Sequence, residues 1–244
     1  MCNALGFFSE VRRMKVAIVL AGGVGARLGA NVPKAFVPVC QKPLIIYCLE
    51  CLDKNPHIDK IQIVAAEDWM SQVEEWTKEY GVAHKVIGYS MPGDNRQLSI
   101  YNALVDLKGV CGDGDFVFVH DAARPILPED LIERSFEGMA GYDGVLPVLP
   151  MKDTVYLSKD GQQVDSLLNR DEIFAGQAPE TFLYGKYLEA NQRLVDSGEI
   201  MKINGSTETA IMAGMKMHLI PGDEKNFKIT TNEDLIRFTE LVKG

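Results

Sequence analysis

Apolar runs that suit buried strands alternate with helical patterns through the first 150 residues of this chain. The strand-like runs are KVAIVLA, IQIVAA, HKVIGY, FVFVH and GVLPVL. Between them the spacing predicts helices opening at Pro43 and over about 68–80, 96–107 and 128–139. Such alternation requires right-handed crossovers between parallel strands. It therefore predicts an α/β fold with a mostly parallel, twisted sheet and helices on both faces.

The pattern changes after Pro150. The next stretch, DTVYLSKDGQQVDSLL, has two short strand patterns around a Lys-Asp-Gly-Gln turn. It predicts a projecting β-hairpin arm over about 151–175, directed towards a second subunit. Helices over 182–197 and 206–212, the strand MKMHLI and a final helix from about Thr231 complete the prediction. Because no repeat or linker divides the chain, we expect one domain over 14–244 after a loose extension of residues 1–13.

Charge and cysteine content exclude several classes of protein. The chain has 244 residues and a net charge of −9, which argues against nucleic acid as a partner. No apolar stretch reaches the roughly 18 residues of a membrane span, and no secretory signal is recognisable. Five cysteines without a disulfide framework favour a reducing, cytoplasmic location. Cys48 and Cys51 form a C-x-x-C inside an apolar helical run, which favours core packing over a zinc site.

The glycine-rich loop after the first strand, AGGVGARLGANVPKAF, indicates a phosphate-binding role. A dinucleotide-binding turn would need a third glycine at Leu28, and the Gly-Lys-Ser/Thr of a P-loop is absent. What remains lets the backbone wrap a phosphate chain, while Arg27 and Lys34 supply positive charge. This layout suits nucleotidyl transfer, in which an acceptor phosphate attacks the α-phosphate and pyrophosphate leaves.

The loop resembles the signature of sugar-nucleotide and polyol-phosphate nucleotidyltransferases. Later stretches resemble, in order, motifs of the 2-C-methyl-D-erythritol 4-phosphate cytidylyltransferase family: GDNRQLSIYNAL, VFVHDAARPIL, VLPMKDTV, LNRDEIFAGQAPETF and NFKITTNEDL. The resemblance runs from residue 16 to about 240. It implies a Rossmann-like nucleotidyltransferase fold and transfer of CMP from CTP to 2-C-methyl-D-erythritol 4-phosphate. The products would be 4-diphosphocytidyl-2-C-methyl-D-erythritol and pyrophosphate, in the non-mevalonate route to isoprenoids.

Two alternatives stay open. Ribitol-5-phosphate cytidylyltransferases, which make CDP-ribitol for cell-wall polymers, resemble this chain in the same motifs. Ala122 and Ala123 favour the methylerythritol acceptor, because the ribitol enzymes tend to carry a bulkier pair there. A catalytically silent nucleotide-binding homologue is the alternative from another class. It is disfavoured by the retained set Arg27, Lys34, Asp121 and Lys228.

Four positions depart from the family's motifs, and all lie on the acceptor side. They are Asn169, Ala178, Glu180 and Glu208, where the family usually has Asp, Thr, Gln and Asp.

The resemblance also implies roles for individual residues. The catalytic cations would be Arg27, Lys34 and Lys228. The CTP-binding residues would be Ala21, Gly22, Gly23, Gly25, Gly93, Asp94, Arg96, Ser99 and Asp121. The backbone of Gly93 and Asp94 would read cytosine, and Arg96 is equally suited to a structural role.

Asp121 is also the expected ligand of Mg²⁺, with Asp223 or Glu224 as possible helpers, because Mg²⁺ needs few protein oxygens beside a triphosphate. The acceptor-binding residues implied by the resemblance are Thr154, Arg170 and Ala178. Thr154 and Arg170 would reach the active site of the partner in a homodimer. His120 and Arg124 are assigned to structure.

Overall fold

A computed structural model of the protein describes residues 12–23 and 32–244. Within these residues the strands are β1 (Lys15–Leu20), β2 (Pro38–Val39), β3 (Lys42–Pro43), β4 (Lys60–Val64), β5 (Val86–Ser90), β6 (Phe116–Asp121), β7 (Gly144–Pro150), β8 (Tyr156–Leu157), β9 (Ser166–Leu167), β10 (Phe174–Gly176), β11 (Glu180–Leu183) and β12 (Met217–Pro221).

The α-helices of the same residues are α1 (Leu44–Lys54), α2 (Glu67–Glu79), α3 (Arg96–Asp106), α4 (Glu129–Glu137), α5 (Tyr184–Asp196), α6 (Ser206–Met212) and α7 (Asn232–Lys243). Short 3-10 helices cover Lys34–Phe36, Arg170–Glu172 and Glu199–Lys202. Among the helices of the described part, none is long and apolar enough to cross a membrane.

Eight of the described strands form one mixed sheet with the order β5-β4-β1-β6-β11-β7. The strands β5, β4, β1 and β6 are parallel, and β11 is antiparallel between β6 and β7. β7 also pairs with β10, antiparallel, and with β12, parallel. The chain passes from β1 to β4 and β5, then returns to β6 on the other side of β1. The strand order therefore reverses between β1 and β6, which is where open α/β sheets place ligands.

Side chains that alternate along β1 enter two different apolar clusters. Val16 and Ile18 pack on one face of the sheet with residues of α3 and α5, whereas Ala17 and Val19 pack on the other with residues of α1 and α4. Successive side chains of a strand point to opposite faces, so both faces of the sheet are covered by helices. The predicted α/β fold is confirmed.

Two predicted boundaries differ from the structure. Pro43 is not the first helical residue: it ends β3 and precedes α1. The helix predicted from residue 182 begins at Tyr184, because Phe182 belongs to β11. Phe182 is fully buried and stacks on Tyr187 of α5 at 3.8 Å between ring centroids. The apolar spacing therefore continues from β11 into α5, so the sequence pattern does not show where the strand ends and the helix begins.

The predicted hairpin is present as the antiparallel pair β8–β9, although each strand has only two residues. Asp160 Oδ1 accepts hydrogen bonds from the backbone N–H groups of Gln162 and Gln163, and Gly161 has a φ of +71°. Gly161 suits that left-handed conformation because it has no Cβ. The apolar side chains of the arm are not buried within the subunit: the exposed ones are Tyr156, Leu157, Val164 and Leu167.

The C-x-x-C pair lies in the core, as predicted. Cys48 is fully buried in one of the sheet clusters, and Cys51 packs against the same cluster. Burial raises the pKa of both thiols, so neither is activated as a nucleophile or a ligand.

Candidate active site

A cavity of about 590 Å³ opens at the carboxyl ends of β1 and β6, where the strand order reverses. It is lined by Leu20, Ala21, Gly22, Gly23, Lys34, Ala35, Val64, Pro92, Gly93, Asp94, Asn95, Arg96, Ser99, Asp121, Ala123 and Lys228. The structure thus brings together ten of the residues predicted for the nucleotide and for catalysis. Gly25 and Arg27 lie outside the described residues.

Two glycines of the cavity wall, Gly22 and Gly93, pack closely against neighbouring residues. A Cβ on Gly22 would lie 2.6 Å from Cβ of Pro92, and a Cβ on Gly93 would lie 2.4 Å from Cγ of Leu98. Neither distance is sterically possible, so both positions require glycine because of close approach rather than positive φ. The cavity is therefore bounded by bare backbone on two sides.

The loop before α3 is held by two side chains. Asn95 caps the helix by accepting a 2.7 Å hydrogen bond from the N–H of Leu98. The Ser99 hydroxyl accepts a 2.9 Å hydrogen bond from the N–H of Gly93. The Gly93 N–H is therefore already used inside the protein. The carbonyl of Gly93 has a longer contact, 3.5 Å from Oγ of Ser99.

Asp121 at the end of β6 is the electrostatic centre of the site. Its Oδ1 accepts from Nε of Arg96 at 3.2 Å, and its Oδ2 accepts from Nζ of Lys228 at 2.9 Å. Nε of Arg124 lies 3.9 Å from the same Oδ2. Burial alone would raise the pKa of the Asp121 carboxyl, but Arg96 and Lys228 outweigh burial and hold the pKa far below its usual range. Asp121 is therefore an anion that orients Lys228.

Arg96 is bound by the protein at each of its three side-chain nitrogens. Besides Asp121, it donates to Oγ of Ser206 at 2.5 Å and to Oε2 of Glu180 at 3.3 Å. Of the two roles left open for Arg96, these contacts favour the structural one, although its side chain still lines the cavity.

His120 and Arg124 have the structural environment predicted for them. His120 is fully buried, and its Nε2 lies 3.0 Å from the carbonyl oxygen of Arg124. Burial lowers the pKa of His120 to about 4, so the imidazole is neutral at physiological pH. Arg124 donates to the carbonyl of Asn226 at 2.5 Å and thereby ties the end of β6 to the loop that carries Lys228.

The carboxylates near the cavity are compatible with one bound Mg²⁺. Each oxygen of Asp121 accepts one hydrogen bond, and a carboxylate has about four lone-pair sites, so further coordination is possible. Asp223 and Glu224 are not among the residues that line the cavity, and Glu224 is paired with Lys152. No group of three His, Cys, Asp or Glu suited to a metal occurs within residues 12–23 and 32–244. The donor set therefore suits an ion held mostly by water and substrate.

The predicted acceptor residues do not line this cavity. Ala178 is buried, and its carbonyl accepts from Nδ2 of Asn226 at 2.6 Å. Thr154 and Arg170 are exposed on the arm, where Arg170 donates to the carbonyl of Lys152. Within one subunit, the structure thus separates the acceptor candidates from the nucleotide candidates.

The other departures from the family's motifs have different surroundings. Asn169 accepts from the N–H of Asp171 at the 3-10 helix that follows it, and Glu208 accepts from the N–H of Asn204 before α6. These two contacts are local. Glu180 instead contacts Arg96, Ser206 and Thr207, which belong to two other elements.

Sequence reasoning missed several residues of the site. Pro92 and Asn95 line the cavity, and Ser206 and Thr207 surround Glu180 behind it. Asn95 could have been found, because Asn directly before an apolar helical pattern is an N-cap signal. No comparable signal links Ser206 to Arg96, which lie 110 residues apart.

A family model described as "IspD: 2-C-methyl-D-erythritol 4-phosphate cytidylyltransferase" matches residues 15–243. Two curated relatives are similar to a comparable degree. A 2-C-methyl-D-erythritol 4-phosphate cytidylyltransferase of Clostridium tetani is 33% identical over 229 residues, which cover 93% of this chain and 89% of the relative. A ribitol-5-phosphate cytidylyltransferase of Lacticaseibacillus paracasei is 30% identical over 231 residues, which cover 94% of this chain and 98% of the relative.

Solved structures agree with this fold. A crystal structure of 4-diphosphocytidyl-2C-methyl-D-erythritol synthase from Anaerococcus prevotii superposes with a TM-score of 0.82 at 22% identity, covering 95% of this chain and 99% of the other. The 2-C-methyl-D-erythritol 4-phosphate cytidylyltransferase of Francisella tularensis has a TM-score of 0.77 at 26% identity, covering 93% and 99%.

Proposed function

Because this chain belongs to the 2-C-methyl-D-erythritol 4-phosphate cytidylyltransferase family, we propose that it transfers CMP from CTP to 2-C-methyl-D-erythritol 4-phosphate. The chain is a nucleotidyltransferase, and what the proposal adds is the acceptor. The observation that carries the choice of acceptor is the family match over residues 15–243, and Ala122 and Ala123 in the HDAARP motif agree with it. The cavity supports the transfer itself, because its lining joins the glycine backbone of the first loop, Lys34 and Lys228 at one edge of the sheet.

The chemistry requires little beyond orientation and charge neutralisation. The acceptor phosphate oxygen forms a bond to the α-phosphorus of CTP, and the bond to the pyrophosphate oxygen breaks. Negative charge builds on the α-phosphate in the transition state, and a fixed ammonium such as that of Lys228 stabilises it. Asp121 holds Lys228 in place through a 2.9 Å hydrogen bond.

No general base is needed, because the attacking phosphate is already anionic. His120 is poorly placed for such a role, since it is fully buried and its Nε2 is engaged by a backbone carbonyl. Arg27 is assigned to the triphosphate on the basis of its motif alone.

Mg²⁺ is the proposed cofactor, with Asp121 as its protein ligand. When bound, the ion would neutralise charge on the triphosphate. The requirement for Mg²⁺ is tested by leaving the ion out of the assay described below.

We also propose a homodimer formed through the arm, in which Thr154 and Arg170 contact the acceptor in the partner's cavity. Support comes from their exposure on the arm and from four exposed apolar side chains beside them, Tyr156, Leu157, Val164 and Leu167. Monomeric proteins rarely expose such a cluster without a partner.

D-Ribitol 5-phosphate is the second candidate acceptor. Two observations favour it: the similarity to the Lacticaseibacillus paracasei enzyme over almost its whole length, and the departures at Ala178 and Glu180. Ala122 and Ala123 in the HDAARP motif favour the methylerythritol acceptor.

The test is an assay of pyrophosphate release from CTP and Mg²⁺ with each polyol phosphate separately, combined with mass spectrometry of the product. We expect turnover with 2-C-methyl-D-erythritol 4-phosphate and no release with CTP alone. Turnover with D-ribitol 5-phosphate only would overturn the proposed acceptor. No release with either polyol phosphate would overturn both candidate acceptors.

A further inference from the structure

Glu180 is a buried carboxylate that accepts from three donors belonging to two other elements. It begins β11 and is only 8% exposed. Its oxygens accept from Nη2 of Arg96 at 3.3 Å, from Oγ1 of Thr207 at 2.9 Å and from the hydroxyl of Ser206. Arg96 opens α3, whereas Ser206 and Thr207 open α6. Burying a charge is costly unless it is paired, so this carboxylate calls for an explanation beyond packing.

Arg96 lies between two carboxylates. Its Nε donates to Oδ1 of Asp121, while its Nη2 donates to Glu180. A guanidinium that faces a single carboxylate prefers a two-point, forked contact with both oxygens. The second carboxylate prevents this arrangement, because it pulls the far side of the guanidinium away from Asp121.

The single-point contact between Arg96 and Asp121 affects Lys228. Since Arg96 contacts only Oδ1 of Asp121, Oδ2 remains for Nζ of Lys228 at 2.9 Å. If the charge of Glu180 were lost, a forked contact of Arg96 with Asp121 would compete with Lys228 for Oδ2. The side chains therefore form a chain of contacts from Glu180 through Arg96 and Asp121 to Lys228.

We propose that Glu180 is a positioning residue whose negative charge keeps Lys228 on Asp121 by restraining Arg96. Glu180 itself does not line the cavity. This inference rests on the proposed function for its kinetic consequence, whereas its structural consequence, the protection of Lys228, can be measured without an acceptor.

The test is Glu180→Gln, which keeps the shape of the side chain and one acceptor oxygen, enough for either Ser206 or Thr207, but removes the charge. We expect kcat to fall about tenfold while KM for CTP stays within about twofold, because a fixed ammonium acts mainly in the transition state. The matched control is Asp143→Asn, which breaks the ion pair of Asp143 with Lys186 away from the cavity and should leave kcat unchanged.

A double variant tests the mechanism of the effect. If Glu180 acts through Arg96, then E180Q combined with Arg96→Gln should have the same kcat as Arg96→Gln alone, because residues in one network are not additive. Fully additive losses would overturn the proposed route.

A labelling experiment separates this inference from the proposed function. The rate at which an amine-selective reagent modifies Lys228 is measured by mass spectrometry in wild type and E180Q, with exposed Lys108 as internal reference. We expect Lys228 to react about threefold faster in E180Q, the scale of losing a half-exposed ion pair. Equal rates would overturn the inference even if the enzyme turns over its acceptor. Faster labelling in a protein that uses neither acceptor would support it while the proposed function fails.

Thermal unfolding of each variant shows whether it is folded at the assay temperature, so that a change in rate is not caused by unfolding. Should E180Q fail to fold, Glu180→Ser replaces it, since that variant also removes the charge and its smaller polar side chain leaves room for water beside Ser206 and Thr207. It should accelerate Lys228 labelling in the same direction, and an unchanged rate would contradict the inference.

Discussion

Asp121 carries a negative charge inside a site that must bind a triphosphate and a second phosphate. Its partners are Arg96, Lys228 and, more distantly, Arg124. Glu180 also contacts Arg96, so two carboxylates lie among three cations; the cluster stays positive and anions are still attracted. What Asp121 adds is orientation, because an ammonium on a flexible lysine has no preferred direction of its own.

Lys228→Gln tests the role of that ammonium. We expect kcat to fall about 100-fold, the magnitude typical of losing one preorganised group that stabilises transition-state charge, while KM for CTP changes little. Steady-state kinetics and calorimetric binding of CTP measure the two effects separately. Lys225→Gln, an exposed lysine of the same loop, is the matched control and should behave as wild type. A rise in the Kd of CTP as large as the fall in kcat would instead assign Lys228 to ground-state binding.

The arm is the element whose proposed role requires a partner subunit. Its strands β8 and β9 pair only with each other, and its apolar residues face solvent in the single subunit. Leu167→Glu would place a charge among these apolar side chains, so we expect the dimer to dissociate at least about tenfold more readily. Sedimentation over a range of concentrations measures this, with turnover per subunit as a second readout.

Ile236→Glu, at a comparably exposed apolar position on α7, controls for the general effect of a new surface charge. It should leave both the oligomeric state and the turnover unchanged. A wild-type protein that remains monomeric at every concentration would contradict the proposed role of the arm.

The sequence predicts well those elements whose burial leaves a clear hydrophobic pattern in the chain. β1 and β6 appear as continuous apolar runs because helices cover both faces of the sheet. β11 was missed because its four residues join an apolar helix without a turn between them. β10 was missed because its three residues, Phe174–Gly176, are exposed and carry no alternation.

Some features of the site could likewise be predicted from the sequence and others could not. Gly22, Gly93 and Asp121 could be predicted, because each belongs to a motif at a strand end or a loop. The contact between Glu180 and Arg96 could not, because these residues lie 84 positions apart and meet only through the arrangement of β11 beside β6. A sequence reveals that position 180 is unusual, but its partner follows only from the three-dimensional structure.

Strand β6 runs through the apolar core and ends at the cavity. Each residue of Phe116–Asp121 is buried, and the strand lies between β1 and β11 in the middle of the sheet. His120 and Asp121 are consecutive on this strand, one neutral and one anionic. Arg96 and Lys228 offset the burial of the Asp121 carboxylate, whereas burial disfavours a charged His120 and the nearby Arg124 and Arg96 add to that effect. Global stability and site geometry therefore both depend on the protonation state of this strand end.

The stability of the protein should decrease in mild acid because of His120. Its pKa is about 4 in the folded protein, against an ordinary value of 6.5, because burial disfavours the charged imidazole. Between these values the unfolded chain binds a proton that the folded chain does not, so the free energy of unfolding falls as pH decreases. Linkage gives a loss of about 2 kcal/mol between pH 7 and pH 5. Urea unfolding at several pH values measures this loss.

Between pH 7 and pH 5 the loss of stability due to His120 can be measured apart from the loss due to protonation of Asp121, which occurs at lower pH. The pKa of Asp121 is lowered, so the stability that it contributes is lost only below the usual range of aspartate. In His120→Asn the loss between pH 7 and pH 5 should largely disappear, whatever the absolute stability of that variant. In His84→Gln, whose side chain is 77% exposed, the loss should persist. If the variant does not fold, an NMR titration of the wild-type imidazole replaces it, and a His120 that protonates near pH 6.5 would refute the explanation.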